Sequence, residues 1–497
     1  MKRYFDINYN RQLFFLLFSF FSCYQVNAAS TIQKIDQEHV YSSIQFGNGL
    51  LDLRFPRAEN PTMTEEPYIQ SGKNNLIYVT LPQTLNTNAV NMEVYCPINS
   101  SVKVNGIPVP KNYGLLNGKD VAIVMTNINI DANINLEITS QFGTKVEYDV
   151  LPKLGIKELD SIIYNFKEKY NIPGVSFAVV NVDSTKTVYQ SGYGYAIKES
   201  KTRVQPSHLF RLASMSKQHT AVGILKLVED GKIALNDTVF GPNGILKDKF
   251  PNVPNRATAI TVRNLLEHTS GYSTHPDYMF DKLYTGWSME QRIQAMLRSR
   301  QLNEPGAVFA YYNTGYGILG YIIETVSGKS YSQYMEDLYH SVGIDNIHVG
   351  GTQAERRPDE VAYYGQNSAN AEGLDMGVRA PAGGLIASID QLIKLLWRLD
   401  GKDNIPDLLN AETRQLMFTP SSTGRSRYTL GWRTNHQYFP QSFYHGGTLA
   451  GVATFWVYSG GYAVIFLCNS RSNIRRFDDE FYRMARDIIA DVKEKQF

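Results

Sequence analysis

A serine and a lysine, Ser214 and Lys217, stand three residues apart at the start of a run whose apolar residues recur at helical spacing from 221 to 228. Positions i and i+3 share one face of a helix, so the hydroxyl and the amine can approach each other. A lysine with a depressed pKa can accept the serine proton and turn the hydroxyl into a nucleophile. Because the pKa of an unperturbed lysine is about 10.4, this chemistry requires Lys217 to be partly desolvated.

A second serine–lysine pair at the same spacing, Ser100 and Lys103, lies in a region of alternating strand-like sequence. On a strand, positions three apart point to opposite faces. We therefore predict that this pair has no catalytic role. Ser214 differs because a long amphipathic helix is predicted to follow it.

The stretch Phe210–Lys217 resembles the nucleophile segment of serine β-lactamases, penicillin-binding proteins and related esterases. The continuation Gly231–Asp237 is also similar to that family, and the resemblance spans roughly residues 155 to 490. It implies that Ser214 is the nucleophile and that Lys217 is its activating partner.

The triplet Tyr311, Tyr312, Asn313 resembles the Tyr-x-Asn element that this family carries on a loop between helices. The resemblance implies that the Tyr311 phenol takes the serine proton and passes it to the leaving group. It also implies that Asn313 donates an amide hydrogen bond to the substrate and to Lys217. Tyr312 stands one residue off the motif and is interpreted as a packing residue.

The run His445, Gly446, Gly447 matches the cleft strand that carries Lys-Thr-Gly in class C β-lactamases and often His-x-Gly in peptidases and esterases. The glycines would let a substrate lie against the strand as an extra edge strand. The backbone N–H groups of Thr448 and Ser214 would form an oxyanion hole, a feature worth about 3–4 kcal/mol in transition-state binding. A histidine that titrates near neutrality replaces a permanent cation, which favours a peptidase or an esterase over a dedicated β-lactamase.

Two further stretches, Leu265–Gly271 and Ala382–Ser388, resemble segments of the same family that supply no chemistry. His268, in the first of them, is expected to be a structural histidine with its hydrogen bonds satisfied.

The elements around these motifs predict one antiparallel sheet, built from strands at both ends of the region and flanked by helices that are inserted between them. A helical period precedes the first strands, at Leu159, Ile162, Ile163, Phe166 and Tyr170. Strands are predicted at Val175–Val182, Thr187–Ala196, Tyr428–Trp432, Ser442–Tyr444, Ala453–Tyr458 and Tyr462–Cys468, and a closing helix at Asp478–Lys493. The predicted class is therefore α/β of the α+β type, a β-lactamase-like domain over residues 155–497.

A small all-β, sandwich-like domain is predicted for residues 31–150, where short alternating runs recur and an Asn105–Gly106 pair indicates a hairpin turn. The part from Asn99 to Val150 is loosely similar to cadherin-like or immunoglobulin-like bacterial modules. The sequence does not predict what this domain binds.

The first 28 residues read as a secretory signal peptide, with basic residues before a nine-residue apolar run from Leu13 to Phe21. That run is too short for a membrane-spanning helix, which needs roughly 20 residues. Cys23 follows bulky phenylalanines and makes a poor lipoprotein site. We expect a periplasmic or secreted protein without a transmembrane segment after cleavage, and no disulfide between Cys96 and Cys468, which fall in different predicted domains.

Several function classes are disfavoured by the sequence. The 49 basic and 47 acidic residues are scattered, which gives no reason to expect nucleic acid as a partner. The chain has no Gly-x-Ser-x-Gly elbow, no Ser-Asp-Asn triplet and no His-x-His cluster, which disfavours an α/β-hydrolase, a class A β-lactamase and a zinc hydrolase. The resemblance implies no metal and no organic cofactor.

Three substrates stay open for an acyl-enzyme on Ser214: the D-Ala-D-Ala end of a peptidoglycan stem peptide, a carboxylic ester, or a β-lactam ring. The first two are favoured and a class C-like β-lactamase is the alternative. A non-catalytic cell-envelope binding protein is the alternative from another class, and the retained Ser214, Lys217, Tyr311 and His445 argue against it.

Overall fold

The computed structural model describes residues 33–34, 40–46, 51–56, 59–60, 62–63, 65, 67–116, 119–366, 376–421 and 427–495. The predicted signal peptide, with Cys23, lies outside the described residues. The chain divides into two compact units, the first from 1–63, 87–129 and 135–148, and the second from 64–86, 130–134 and 149–497. Residues 64–86 and 130–134 thus group with the C-terminal unit and not with the β-rich region in which the sequence analysis placed them.

The N-terminal part of the chain is built from strands. They are β1 (Gln33–Lys34), β2 (Val40–Phe46), β3 (Leu51–Pro56), β4 (Tyr68–Ser71), β5 (Leu76–Pro82), β6 (Ala89–Pro97), β7 (Ser101–Val104), β8 (Ile107–Pro108), β9 (Asn112–Leu116), β10 (Lys119–Asn129), β11 (Ile134–Thr139) and β12 (Lys145–Gly155). In the first unit, six of them form a sheet in the order β1-β9-β10-β6-β3-β2. The predicted hairpin is confirmed, because β7 pairs antiparallel with β8 and both Asn105 and Gly106 adopt positive φ angles of 51° and 79°.

The second unit alternates helices with the strands of a larger sheet. The helices are α1 (Lys157–Tyr170), α2 (Ser216–Glu229), α3 (Val262–Leu266), α4 (Met289–Arg298), α5 (Asn313–Ser327), α6 (Tyr331–His340), α7 (Ile389–Trp397), α8 (Ala411–Phe418) and α9 (Phe477–Lys495). The remaining strands are β13 (Gly174–Asn181), β14 (Lys186–Ile197), β15 (Thr202–Arg203), β16 (Phe210–Arg211), β17 (Ile347–Val349), β18 (Leu385–Ala387), β19 (Arg433–His436), β20 (Phe439–Leu449), β21 (Val452–Ser459) and β22 (Tyr462–Cys468).

The main sheet has the strand order β15-β14-β13-β22-β21-β20-β19, so the strands nearest the C-terminus pair directly with the first strands of the unit. Side chains alternate between its faces. On β13, Phe177 and Val179 pack with α1 and α9, whereas Ala178 and Val180 face the core that contains α2. The predicted β-lactamase-like fold, with helices on both faces of one antiparallel sheet and additional N-terminal β-sheets, is confirmed.

The prediction of a strand at Tyr428–Trp432 is wrong. The strand at this edge of the sheet is β19, which begins at Arg433, directly after Trp432. The segment before it forms a tight turn in which the Gly431 N–H bonds to the Thr429 carbonyl at 3.0 Å and the Thr429 N–H bonds to the Trp432 carbonyl at 2.7 Å. Gly431 has a φ of 92°, a conformation that glycine adopts without a steric penalty. The segment contains aromatic and β-branched residues, which are typical of strands, so its composition predicted a strand instead of this turn.

A buried ion pair ties the start of α1 to the strands of the second unit. Lys153 Nζ lies 3.0 Å from Asp160 Oδ1 and also donates to the hydroxyl oxygens of Tyr189 and Ser191. Asp160 further accepts hydrogen bonds from Thr80 and from both Tyr189 and Tyr193. Because the ammonium and the carboxylate are almost completely buried, these hydrogen bonds replace the water that both charges lose.

Cys96 and Cys468 are both buried and both free, as predicted. Burial raises the pKa of the Cys96 thiol to about 11 and also raises the pKa of the Cys468 thiol. Both are therefore protonated core residues. Among the described residues, no helix has the length and apolarity needed to cross a bilayer.

Candidate active site

Ser214, the predicted nucleophile, lies on a short 3₁₀ helix, Ala213–Met215, that leads directly into α2 and is called the nucleophile turn below. It is fixed on its N-terminal side by β16, which pairs with β18, and by the Leu212 N–H, which donates to the Leu385 carbonyl at 2.8 Å. Ala213 adopts a φ of 49°, in the left-handed region that residues other than glycine seldom occupy. Ser214 is partly exposed between buried neighbours, so its hydroxyl is the group of this turn that a substrate can reach.

Lys217 lies on the face of α2 that the i, i+3 spacing predicts. Its Nζ is 3.3 Å from Ser214 Oγ and also donates to the carbonyl oxygen of Ala382. The side chain is completely buried, and burial is the main reason why the pKa of Lys217 is lowered from its ordinary value. Tyr311 and Asp277 act against this shift, while the charge of Arg433 adds to it. The desolvated lysine that the chemistry requires is present.

The structure brings Tyr311, and not Tyr312, to the lysine. Lys217 Nζ lies 4.9 Å from the centre of the Tyr311 ring. Tyr312 is instead buried in the core beside Tyr272, with ring centres 6.3 Å apart, as expected of a packing residue.

His268 lies at the centre of an aromatic cluster behind the site. Its ring is 4.4 Å from that of Tyr311 and 4.7 Å from that of Tyr428. Nδ1 accepts a hydrogen bond from the Tyr312 backbone N–H, whereas Nε2 has no hydrogen-bond partner among the described residues. The prediction that the hydrogen bonds of His268 are satisfied is therefore wrong for Nε2 and right only for Nδ1.

Asn313 is the first residue of α5, and its amide contacts a residue that the sequence analysis did not single out. Nδ2 donates to Asp277 Oδ2 at 2.7 Å and not to Lys217. Oδ1 is buried and finds no hydrogen-bond partner among the described residues.

His445 is buried on β20 and is held by two hydrogen bonds. Nδ1 lies 2.8 Å from the Gly446 carbonyl, which can only accept, so Nδ1 carries the proton and Nε2 accepts from the Tyr428 hydroxyl at 3.0 Å. Burial, and then the charges of Arg433 and Lys217, hold the pKa of His445 well below its ordinary range. The expectation that this histidine titrates near neutrality is therefore corrected, because it is neutral at physiological pH.

Arg433 on β19 contributes a permanent positive charge to the site. The guanidinium of Arg433 lies 5.2 Å from the ring centre of Tyr311 and 5.9 Å from that of Tyr428. Among the described residues, these contacts are with aromatic rings and not with a carboxylate. Arg433 directly follows the mispredicted strand 428–432, which explains why it was overlooked.

Gly447 lies directly against the nucleophile turn. A Cβ at this position would fall 2.2 Å from Thr454 Oγ1, 2.3 Å from the Leu212 carbonyl oxygen and 2.9 Å from the Ala213 Cβ. The sequence predicts that the glycines make room for a substrate, whereas the close neighbours of Gly447 are atoms of β21 and of the turn that carries Ser214. Thr448, the next residue, is exposed near the C-terminal end of β20.

Other features of the site differ from the sequence-based interpretation. The stretch Ala382–Ser388 does contribute, since the Ala382 carbonyl accepts a hydrogen bond from the catalytic lysine candidate and the Leu385 N–H donates to Ser216 Oγ. In the second serine–lysine pair, Ser100 and Lys103, the lysine forms an ion pair with Glu137 at 3.0 Å. No group of three or more potential metal ligands occurs in the part of the chain that the structure describes.

Both the sequence and the fold are similar to those of known proteins. The family model described as Beta-lactamase matches residues 159–487. Protein flp of Staphylococcus aureus (strain MW2) is 26% identical over 324 residues, which cover 64% of this chain and 63% of that protein. Penicillin-binding protein 4* of Bacillus subtilis (strain 168) is 32% identical over 218 residues, covering 42% of this chain and 44% of that protein. The match thus leaves more than a third of each relative uncovered.

Among solved structures, the D-amino acid amidase from Ochrobactrum anthropi SV3 superposes with a TM-score of 0.54 at 22% identity, covering 68% of this chain and 99% of that one. At this identity the likeness concerns the fold. Since the family match covers the whole region from α1 into α9 and includes every residue of the site, the chain belongs to the β-lactamase family, whose members are typically serine hydrolases.

Proposed function

We propose that the protein is an exported serine hydrolase that forms an acyl-enzyme on Ser214. The observation that carries this proposal is the completely buried Lys217, whose Nζ lies 3.3 Å from Ser214 Oγ and whose pKa is lowered by burial. A lysine held in this state is matched to the task of a base that must be neutral before it can accept a proton.

In the proposed reaction, Ser214 Oγ attacks a substrate carbonyl while its proton passes to the neutral amine of Lys217, either directly or through the Tyr311 phenol, which gives its own proton to Lys217 as it takes that of Ser214. The backbone N–H groups of Ser214 and Thr448 stabilise the oxyanion of the tetrahedral intermediate. The same proton then moves to the leaving group as the acyl-enzyme forms. Water attacks the acyl carbonyl in the second half of the cycle, and the lysine–tyrosine pair returns the proton to Ser214.

The charges of the cleft favour a substrate that ends in a carboxylate. His445 is neutral, but Arg433 supplies a permanent guanidinium beside Tyr311. A guanidinium binds a carboxylate through two parallel hydrogen bonds. This favours a D-alanyl-D-alanine carboxypeptidase-like enzyme acting on peptidoglycan stem peptides, with an esterase acting on small molecules next. A β-lactam also carries a carboxylate, so a class C-like β-lactamase stays as the alternative.

Covalent labelling tests the proposal. The purified protein is incubated with a fluorescent penicillin and, separately, with a fluorophosphonate, and the adducts are followed by intact mass. We expect labelling that is lost in Ser214→Ala and kept in Ser207→Ala, an exposed serine outside the site. A long-lived penicillin adduct indicates a carboxypeptidase, a rapidly hydrolysed one a β-lactamase, and labelling by fluorophosphonate alone an esterase. Absence of labelling by both reagents overturns the proposal in favour of a non-catalytic binding protein.

The proposed location is the periplasm or the cell exterior, on the basis of the N-terminal signal sequence. Fractionation of cells that express the full chain, combined with N-terminal sequencing of the mature protein, tests it. Cleavage near Ala28 supports export, whereas an intact N-terminus in the cytosolic fraction contradicts it.

A further inference from the structure

The second unit contains a cavity of about 150 Å³ on the face of the main sheet that packs against α2. Its wall combines side chains of the sheet with others from α7, from α8 and from the loop between these helices. Among the described residues that line it, none belongs to the candidate active site. The cavity is therefore a separate place in the fold at which a small molecule could bind.

Five of the side chains that line this cavity are aromatic, namely Phe418, Trp432, Phe443, Trp456 and Tyr458. The rings of Trp432 and Trp456 lie 5.2 Å apart at an angle of 76°, and those of Phe418 and Phe443 lie 4.6 Å apart at 51°. Because neighbouring rings are inclined and do not stack face to face, they leave ring faces for a guest molecule. The face of an aromatic ring is the negative part of its quadrupole, so such a wall attracts cations.

The charged residues around the cavity leave one negative charge without a partner. Arg414, which lines the cavity, forms an ion pair with Asp407. Lys402 forms an ion pair with Asp183 at 3.3 Å. Asp400 also lines the cavity, and among the described residues it forms no ion pair. The local charge therefore favours a positively charged ligand.

The carboxylate of Asp400 is only partly compensated for the water that it loses. Oδ1 accepts a hydrogen bond from the Lys402 backbone N–H at 2.9 Å, whereas Oδ2 finds no hydrogen-bond partner among the described residues. Burial raises the pKa of Asp400, and the hydrogen bond from Lys402 acts against this shift. A cation inside the cavity would stabilise the ionised carboxylate through its charge alone, without a direct hydrogen bond.

We propose that this cavity binds a quaternary ammonium group, such as that of choline, with its methyl groups against the aromatic rings and its positive charge near Asp400. A quaternary nitrogen has no N–H, so it needs no hydrogen-bond acceptor from a largely apolar wall. A cavity of this volume accommodates a molecule of the size of benzene, and a trimethylammonium group is smaller. This binding does not depend on acylation of Ser214.

A matched pair of ligands tests the proposal on the unmutated protein. Choline is compared with dimethylbutanol, its neutral isostere, in which a tert-butyl group replaces the trimethylammonium group. Two of the four tryptophans, Trp432 and Trp456, line the cavity, so tryptophan fluorescence reports its occupation. We expect choline to bind about ten-fold more tightly than the alcohol. Equal affinity for the two ligands, tighter binding of the alcohol, or no binding of either one overturns the proposal.

Asp400→Asn removes the unpaired charge, so the preference for choline over the alcohol should fall to about three-fold or less. Asp403→Asn is the matched control, since Asp403 is an exposed carboxylate of the same loop, and it should keep the ten-fold preference. Circular dichroism shows whether both variants are folded. An unchanged preference in folded Asp400→Asn contradicts the assignment of the charge to Asp400.

Two further measurements locate the site and the source of the group. Saturating choline should leave the rate of Ser214 labelling by fluorophosphonate unchanged, whereas protection of Ser214 would place choline in the catalytic cleft and overturn the proposal. Sedimentation with phosphatidylcholine vesicles that choline reverses supports a lipid headgroup as the ligand. Binding of choline without such sedimentation supports a free solute.

Discussion

The hydroxyl of Thr454 donates a hydrogen bond of 2.8 Å to the carbonyl oxygen of Leu212, two residues before the nucleophile. The inner strand β21 is thereby joined directly to the turn that carries Ser214. Gly447 on the neighbouring strand leaves the room for this contact, because any side chain there would collide with both groups. The sheet therefore sets the position of the nucleophile, and a change at this contact should affect acylation.

Gly447→Ala should impair both activity and stability. Its Cβ would lie 2.2 Å from Thr454 Oγ1 and 2.3 Å from the Leu212 carbonyl, so the turn or the strand must move. Overpacking of this kind costs about 1–3 kcal/mol, and a shift of the nucleophile by about 1 Å can cost about 100-fold in rate. Denaturant unfolding and the rate of fluorophosphonate labelling measure the two effects.

Gly446→Ala is the control, since the nearest atom to its Cβ would be the Thr454 carbonyl oxygen at 3.6 Å, an ordinary contact distance. It should unfold like the unmutated protein. Similar losses in both variants would mean that the strand as a whole resists side chains, and that the contact with the nucleophile turn is not the cause.

The acid limb of the pH–activity profile is the pH range in which activity falls on acidification. It should move in opposite directions in Arg433→Gln and Asp277→Asn. Lys217 must be neutral to accept a proton, so activity falls as pH decreases through its pKa. The charge of Arg433 lowers that pKa and the charge of Asp277 raises it. Arg433→Gln should therefore move the limb to higher pH and Asp277→Asn to lower pH, each by about half a unit to one unit. The pH dependence of fluorophosphonate labelling measures it, and shifts of the same sign would contradict the assignment to Lys217.

Arg433→Gln should also separate substrates by the charge of their leaving group. If the guanidinium binds a carboxylate, its loss should raise KM for acetyl-D-alanyl-D-alanine about ten-fold or more. A neutral p-nitrophenyl ester of the same acyl group should show little change in KM at a fixed pH on the plateau of each profile. Equal effects on both substrates would argue for a structural role of Arg433 among the aromatic rings.

Asp160→Asn should destabilise the second unit strongly. The change leaves the buried ammonium of Lys153 without its counter-charge, at a cost of about 3–5 kcal/mol in the free energy of unfolding. Asp183→Asn is the comparison, because Asp183 is 67% exposed in its ion pair with Lys402 and such surface pairs contribute about 0–1 kcal/mol. Guanidinium unfolding followed by circular dichroism measures both, and a small loss in Asp160→Asn would show that hydrogen bonds alone hold the cluster together.

The spacing of residues along the sequence was enough to predict the contact between Ser214 and Lys217. The i, i+3 rule places Lys217 beside Ser214 from sequence alone, and the alternating pattern near Ser100 correctly indicates a strand. The fold followed from the same signals, since the apolar periods at 159–170 and 462–468 lie within α1 and β22.

The residues that sequence reasoning missed act over long distances in the chain. Asp277 reaches Asn313 across a loop without periodicity, and Arg433 reaches Tyr311 from the far edge of the sheet. Neither has a local pattern, because their roles arise from packing between elements. The charge state of His445 was likewise hidden, since burial and neighbouring cations, not residue type, determine it.

Burial of His268 and His445 has a consequence for the chemistry of the cleft. The pKa values of His268 and His445 are held well below their ordinary range, so neither gains a proton as the surroundings turn mildly acidic. These two histidines therefore do not take part in proton transfer in the cleft. In the proposed reaction, the groups that accept and donate protons are the Lys217 amine and the neighbouring Tyr311 phenol. Of His268, His445 and Lys217, the lysine is the one that a drop in external pH would protonate, and the expected effect is a graded loss of nucleophile activation.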